Sequence, residues 1–287
     1  LKIKDLYAND KTVFSFEVFP PKRDNPIETI FETLDGLKDL DPDFISVTYG
    51  AGASLADNYT CEIASAIKDK YGIESAAHLT CVNSTKKEVT EVLKRLNDSG
   101  IDNILALRGD INPDIPPKKE FEYSSDLISF IRESGYDFGI SGACYPETHI
   151  ESKSQIEDII NLKKKVDAGA ETLISQLFFD NSLFYDFIEK ARIAGINVPI
   201  EAGIMPVVNK KQIERMVSLC GASLPGKFTK MMARYENKPE AMRDAGIAYA
   251  VNQIVDLLSH GVDGVHLYTM NNPYIARRIS ESVKSLF

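Results

Sequence analysis

Val13-Phe14-Ser15-Phe16-Glu17-Val18-Phe19-Pro20-Pro21 is a run of aromatic and β-branched residues that carries one carboxylate and stops at two prolines. Such side chains favour extended backbone, and proline cannot donate to a sheet ladder, so the run reads as a buried strand that ends before Pro20. Apart from Ser15, every neighbour of Glu17 along the chain is apolar. An isolated charge in such surroundings is costly. Glu17 is therefore either a paired core carboxylate or a proton-transfer group at the mouth of a barrel, with surroundings that favour its neutral, proton-donating form.

Similar runs recur along the chain at 44–49 (Phe44-Ile45-Ser46-Val47-Thr48-Tyr49, ending in Gly50), 73–80, 103–107, 138–145, 172–178, 198–204 and 264–268. Helical patterns separate them over about 27–40, 60–71, 86–99, 125–134, 155–168 and 183–194, and a last one covers 273–284. In the first of these, Ile30, Phe31, Leu34 and Leu37 share a face. Ser84-Thr85 followed by Glu88 is a capping signature, and Gly72, Gly100, Gly135, Gly169 and Gly195 close successive helices. Strict alternation of strand and helix implies parallel pairing with right-handed crossovers, and eight such units imply a closed α/β barrel, (β/α)8, of the TIM type. The gap before the last run is about twice the usual length. It holds extra helices at about 210–219 and 240–259, with 221–239 reading as a connector. A doubly wound open sheet is the competing fold, and the absence of a G-x-G-x-x-G fingerprint after any strand disfavours it. No linker divides the chain, so residues 1–287 read as a single barrel domain.

The totals fit such a domain: 287 residues, 44% hydrophobic and 26% charged. A net charge of -9 argues against nucleic acid or an anionic membrane as partner. The four cysteines, Cys61, Cys81, Cys144 and Cys220, form no C-x-x-C pair, and the four histidines show no metal-binding spacing. Reduced thiols, no signal peptide and no apolar run near the roughly 20 residues of a membrane span lead us to expect a cytoplasmic protein. The sequence opens on Leu1 and not Met, which suggests a start inside the natural chain.

In barrel enzymes the active site lies at the C-terminal strand ends. Here these ends carry Glu17, Thr48-Tyr49, His78 and Thr80, Arg108-Gly109-Asp110, Tyr145, Gln176, Met205-Pro206 and Tyr268-Thr269. Nearly every strand thus delivers a hydrogen-bonding or titratable group to one rim, which a purely structural barrel does not need. Arg108 can neutralise a phosphate or hydrogen-bond an acceptor-rich ring, and Asp110 can stabilise a cation. Alternatively the two pair and tie down a loop. His78 is either a satisfied core histidine or a site residue. Lys163-Lys164-Lys165 reads as a solvated helix face, although Lys165 shares a side with Asn161 and Asp158 and one lysine can turn towards an anion. The proline-rich stretch from Ile111 to Tyr123 is long enough to be a functional loop.

Taken together, several motifs resemble the bacterial methylenetetrahydrofolate reductases. They are Phe14 to Pro21, Ser46-Val47-Thr48-Tyr49-Gly50, His78-Leu79-Thr80-Cys81, Leu107-Arg108-Gly109-Asp110, Tyr145-Pro146-Glu147, Leu162 to Ala170, Gln176-Leu177-Phe178-Phe179-Asp180 and Gly203-Ile204-Met205-Pro206. The resemblance implies a flavin-dependent oxidoreductase of one-carbon metabolism. Its non-covalent FAD would take hydride from NADH or NADPH and pass it to 5,10-methylenetetrahydrofolate in ping-pong fashion, giving 5-methyltetrahydrofolate. Glu17 matches the family's general acid, and Asp110 the aspartate facing pterin and flavin. Gln176 matches a glutamine that meets folate and nicotinamide in turn. Thr48, His78, Arg108, Gly109, Asp110, Tyr145, His149, Asp158, Asn161 and Lys165 match positions that hold FAD.

Two positions depart from the pattern. Lys210 stands where some relatives have a phenylalanine that packs on folate or nicotinamide, and Asn272 where many have an arginine near the folate. Lys210, with Lys211, is then expected to meet the glutamate tail of folate. The resemblance also implies a homo-oligomer, and the Lys210 departure leaves room for an electron-donating partner subunit. The alternatives are a flavin-free pterin-binding barrel of methyltransferase type and a non-catalytic folate-binding subunit.

Overall fold

The computed structural model describes residues 1–21, 25–49, 59–111 and 116–287, so Gly50 and part of the loop after Asp110 lie outside the described residues. Eight strands, β1 (Val13–Val18), β2 (Phe44–Val47), β3 (Glu74–Thr80), β4 (Asn103–Leu107), β5 (Gly139–Cys144), β6 (Thr172–Ser175), β7 (Ile200–Ile204) and β8 (Gly264–Tyr268), pair in chain order and close into a barrel. Every pair is parallel, including β8 with β1. This is the (β/α)8 barrel, and the open sheet is excluded.

The helices are α1 (Glu28–Leu37), α2 (Thr60–Tyr71), α3 (Lys86–Asp98), α4 (Ser124–Glu133), α5 (Gln155–Asp167), α6 (Asn181–Ile193), α7 (Lys210–Cys220), α8 (Gly226–Tyr235), α9 (Pro239–Ser259) and α10 (Pro273–Val283). Among the described residues no helix is long and apolar enough to cross a membrane. Thr85 and Glu88 form the expected capping box on α3. Two differences from the sequence reading shape the mouth of the barrel. The sixth run is a strand only as far as Ser175, because the chain then turns to bury Phe178 against Phe184 at 5.0 Å and Phe179 against Phe228 at 4.7 Å. The supposed connector at 221–239 contains α8, whose Phe228 and Met232 are buried with Met205, Val207, Ile213 and Met242 beside the ends of β6 and β7.

Alternation along β1 shows how the layers arise. Phe14, Phe16 and Val18 face outward into the shell that includes Ile30, Leu34 and Leu37 of α1. Val13 faces inward and packs with Phe44, Ala76, Leu105 and Ile174. A 3-10 helix at Ile3–Asp10 closes that end, with Ile3, Leu6 and Tyr7 against the same cluster. Asn103 ties this helix down, accepting from the Ile3 amide at 2.9 Å and donating to the Leu1 carbonyl at 2.9 Å. The N-terminal end of the barrel is therefore plugged and the opposite end is left as the mouth. Beside the mouth α9 presses on the chain leaving β7. A Cβ on Gly246 would lie 1.6 Å from the Val207 carbonyl oxygen, so only glycine fits at that contact.

Candidate active site

Glu17 is the penultimate residue of β1 and only 19% exposed. Its sequence neighbours are apolar, but inside the barrel it meets two imidazoles. Its Oε2 lies 3.6 Å from His78 Nε2 on β3 and 3.7 Å from His266 Nε2 on β8. His78 is 6% exposed, and its Nε2 has no hydrogen-bond partner. Burial pushes its pKa down to about 4 against the pull of Glu17, so the ring is neutral at pH 7 and the contact is not an ion pair. His78 is thus not a satisfied core histidine: it is buried, yet its Nε2 is left without a partner beside Glu17.

The backbone around Glu17 is clamped by the end of β8. The Thr269 hydroxyl donates to the Glu17 carbonyl at 2.6 Å, and the Thr269 amide reaches the same oxygen at 3.3 Å. Asn271 accepts from the Phe19 amide at 3.0 Å and donates to the Phe19 carbonyl at 2.8 Å. Met270 and Asn271 both have φ of 52°, a left-handed turn that lets this side chain fold back over β1.

Beneath Glu17 lies a polar column that the sequence reading missed. His266 Nδ1 is 2.6 Å from the Ser15 hydroxyl, which donates to Oε2 of Glu201 on β7. The Tyr7 hydroxyl donates to Oε1 of Glu201 at 2.5 Å. Burial pushes the Glu201 carboxyl above the usual carboxylate range, against His266, Ser15 and Tyr7, which all favour its charged form. A signal for it existed. Glu201 is the lone carboxylate in an apolar run, as Glu17 is, and His266 stands two residues before Tyr268 and so on the same strand face.

The alternative in which Arg108 pairs with Asp110 does not hold. Arg108 instead grips Glu151 with two bonds of 2.5 and 2.7 Å, while Asp110 is exposed on the rim, close enough to join burial in pushing the Cys220 thiol up to about 11. Glu151 wins because both its oxygens meet the planar guanidinium fork at once. Gly109 between them has φ of 86°, and a Cβ there would sit 3.0 Å from the Thr80 side chain.

On the β5–α5 side, the Tyr145 and His149 rings meet edge to face at 4.6 Å. Asp158 accepts from the His149 amide at 3.1 Å and from Ser152 at 3.2 Å, holding that loop. Of the three lysines only Lys165 turns inward. Its ammonium donates to the Ala143 carbonyl at 2.9 Å and lies 5.5 Å from the Tyr145 ring centre, and burial lowers its pKa. Lys163 pairs with Asp167, and Lys164 donates to Asn161 at 3.0 Å.

Gln176, at the end of β6, accepts from the Leu177 amide at 2.9 Å, and Thr48 continues β2 with its amide on Val18 at 2.9 Å. Tyr268 donates to the Ser175 carbonyl at 2.7 Å across the barrel. Lys210 opens α7 and pairs with Glu236, so an anionic folate tail would compete with that carboxylate. Asn272 caps α10 by accepting from the Ile275 amide at 3.2 Å. The site therefore combines one carboxyl between imidazoles with inward cations on the β4–β5 side.

A methylenetetrahydrofolate reductase family model matches residues 2–284. The chain belongs to the methylenetetrahydrofolate reductase family. Its relatives in the family include a 5,10-methylenetetrahydrofolate reductase of Pectobacterium carotovorum, 39% identical over 94% of this chain and 89% of that protein. Another, from Escherichia coli, is 38% identical over 94% of this chain and 90% of that protein. Methylenetetrahydrofolate reductase (NADH) 1 of Arabidopsis thaliana is 39% identical over 94% of this chain, but the matched region is only 48% of the plant protein. Among solved structures, the barrel is similar to an uncharacterised Clostridium thermocellum protein that binds two copies of 5-methyl-5,6,7,8-tetrahydrofolic acid. That match has a TM-score of 0.70 and 15% identity and covers 100% of this chain and 99% of the other. At that identity the likeness speaks for the fold alone.

Proposed function

We propose that this chain reduces 5,10-methylenetetrahydrofolate to 5-methyltetrahydrofolate, with non-covalently held FAD and with NADH or NADPH as donor. One observation carries the reading: a single shielded carboxyl, Glu17, set between two imidazoles at the mouth of a barrel of this family. The methylene bridge opens to an iminium cation only when its departing nitrogen receives a proton, and Glu17 is the group to donate it. Asp110, on the rim, lends negative charge to the cation. Gln176 would orient the folate, and Lys210 would meet its glutamate tail.

The flavin fits the chemistry of the remaining residues. Arg108 and Lys165 would meet its phosphates, and Gly109 leaves the space that a side chain would fill. The free Nε2 of His78 offers a hydrogen bond near the mouth. Thr48, Tyr145, His149, Asp158 and Asn161 would complete the cradle. FAD, when bound, supplies the hydride. Membership of this family supports a homo-oligomer, which sedimentation of the purified protein would test.

Anaerobic mixing tests the reading by separating the half-reactions. In Glu17→Gln, bleaching of the flavin by NADH or NADPH should stay near the wild-type rate, while reoxidation by methylenetetrahydrofolate should slow about 10²- to 10⁴-fold, the range for a lost general acid. Equal loss in both halves would make Glu17 a structural residue. A wild-type flavin that neither nicotinamide bleaches, but that folate reoxidises after chemical reduction, would point to a protein donor. A colourless protein that cannot be reconstituted with FAD would sink the proposal.

A further inference from the structure

Glu201 is 0% exposed, and its hydrogen-bond partners are two hydroxyls, not a cation. Burying a carboxyl in this way is costly, and β7 needs nothing but apolar bulk there to fill the barrel. Space has even been cleared for it: a Cβ on Gly264, its neighbour in β8, would come within 2.9 Å of the Glu201 Cγ. The groups around it form a column with one side branch, the Ser46 hydroxyl 3.4 Å from His266 Nε2. Tyr7 touches Oε1 from the plugged end, Ser15 joins Oε2 to His266 Nδ1, and His266 Nε2 faces Glu17 Oε2 at 3.7 Å. That last step is longer than a hydrogen bond, as contacts of this kind often are before substrate binds. The other charged groups near this end are Asp43, paired with Lys11, and Asp263, paired with Arg192, and neither joins the column.

The column has two proton arrangements of equal hydrogen count. In one, Glu201 O–H donates to Ser15, Ser15 donates to His266 Nδ1, and Nε2–H faces an ionised Glu17. In the other, Glu17 carries the proton, His266 holds its hydrogen on Nδ1 and donates to Ser15, and Ser15 donates to an ionised Glu201. Moving each hydrogen one step converts the first into the second, with His266 neutral in both.

We propose that Glu201 is a positioning residue that stores the proton with which Glu17 is reloaded, handing it on through Ser15 and His266. The inference rests on the reading of Glu17 as proton donor to the folate nitrogen. Once Glu17 has given its proton away, substrate covers the mouth and solvent cannot refill it from above. At the plugged end the part-buried Tyr7 donates to Glu201, and in this scheme it passes a proton to that carboxyl while regaining one itself.

The test uses the FAD holoenzyme, with dithionite holding the flavin reduced so that the donor step does not limit folate turnover. Glu201→Gln keeps the shape of the side chain but cannot release a proton; Ser15→Ala breaks the column one step higher. Both should slow folate turnover about tenfold at alkaline pH, and rising imidazole buffer at constant ionic strength should restore the rate saturably, while the wild type ignores the buffer. Flavin reduction by NADH should not change. A competent wild type alongside variants with its rate, pH profile and buffer response would overturn the proposal. So would a slowed rate that no buffer restores, because a merely structural role has that signature. A wild type that reduces no folate would remove the parent reading and this inference together.

Discussion

Replacing Thr269 by valine removes one hydroxyl and almost no volume, so the effect reads out a hydrogen bond and not a cavity. The residue is 1% exposed, and its hydroxyl both donates to the Glu17 carbonyl at 2.6 Å and accepts from the Asn271 amide at 3.2 Å. The carbonyl would keep only the 3.3 Å contact from the Thr269 amide. Two part-buried hydrogen bonds at about 1 kcal/mol each put the loss near 2 kcal/mol, or about a thirtyfold change in the unfolding equilibrium. Urea unfolding of Thr269→Val and wild type, followed by circular dichroism, should show a lower midpoint at an unchanged slope. The same bond fixes the height of Glu17 against the two imidazoles. Loosening it should slow flavin reoxidation by methylenetetrahydrofolate about tenfold, equivalent to about 1.4 kcal/mol of transition-state stabilisation, and leave reduction by NADH untouched. Two results would refute this reasoning: unchanged stability together with an unchanged folate half-reaction, or an equal loss in both half-reactions.

His78 makes stability depend on pH. Its folded pKa of about 4 lies below the unfolded value of 6.5, so the unfolded chain binds the extra proton first. Stability from this group is fully present above pH 6.5 and falls as the pH drops towards 4, by about 3 kcal/mol in all. Urea midpoints across that window should fall steeply in the wild type and less in His78→Gln; parallel curves would contradict the assignment. Glu151→Gln should free the Arg108 guanidinium. Both partners are partly exposed, so the pair is worth no more than about 1 kcal/mol, and FAD titrations into the apoprotein should show Kd falling about two- to fivefold, less at high salt. Unchanged or weaker binding would mean that Arg108 does not meet the cofactor.

The sequence by itself determined what depends on near neighbours. Eight apolar runs, each followed by a helical pattern, were enough for the closed parallel barrel, and the Thr85–Glu88 cap and the bounds of α2 could be read to the residue. Glu17 stood out because a carboxylate among Phe16, Val18 and Phe19 is anomalous on any reading, and the polar strand ends pointed to one rim. Periodicity and capping act over a few residues, so one chain displays them without any partner.

Only the tertiary structure decided which groups meet. Ser15 and His266 lie 251 positions apart and touch because β8 closes onto β1 with Ser15 level with His266. Glu201 enters the same column from β7, and that too depends on the barrel's register. Arg108 found Glu151 and not the nearer Asp110, and Lys165 alone of three lysines turned inward, because helix phase and loop path fix direction while composition does not. The apolar neighbours of Glu17 in sequence point mostly away from it, for side chains alternate across a strand. Its actual surroundings, two imidazoles and a column ending at Tyr7, come from four separate segments, and strand pairing, not sequence adjacency, brings them together.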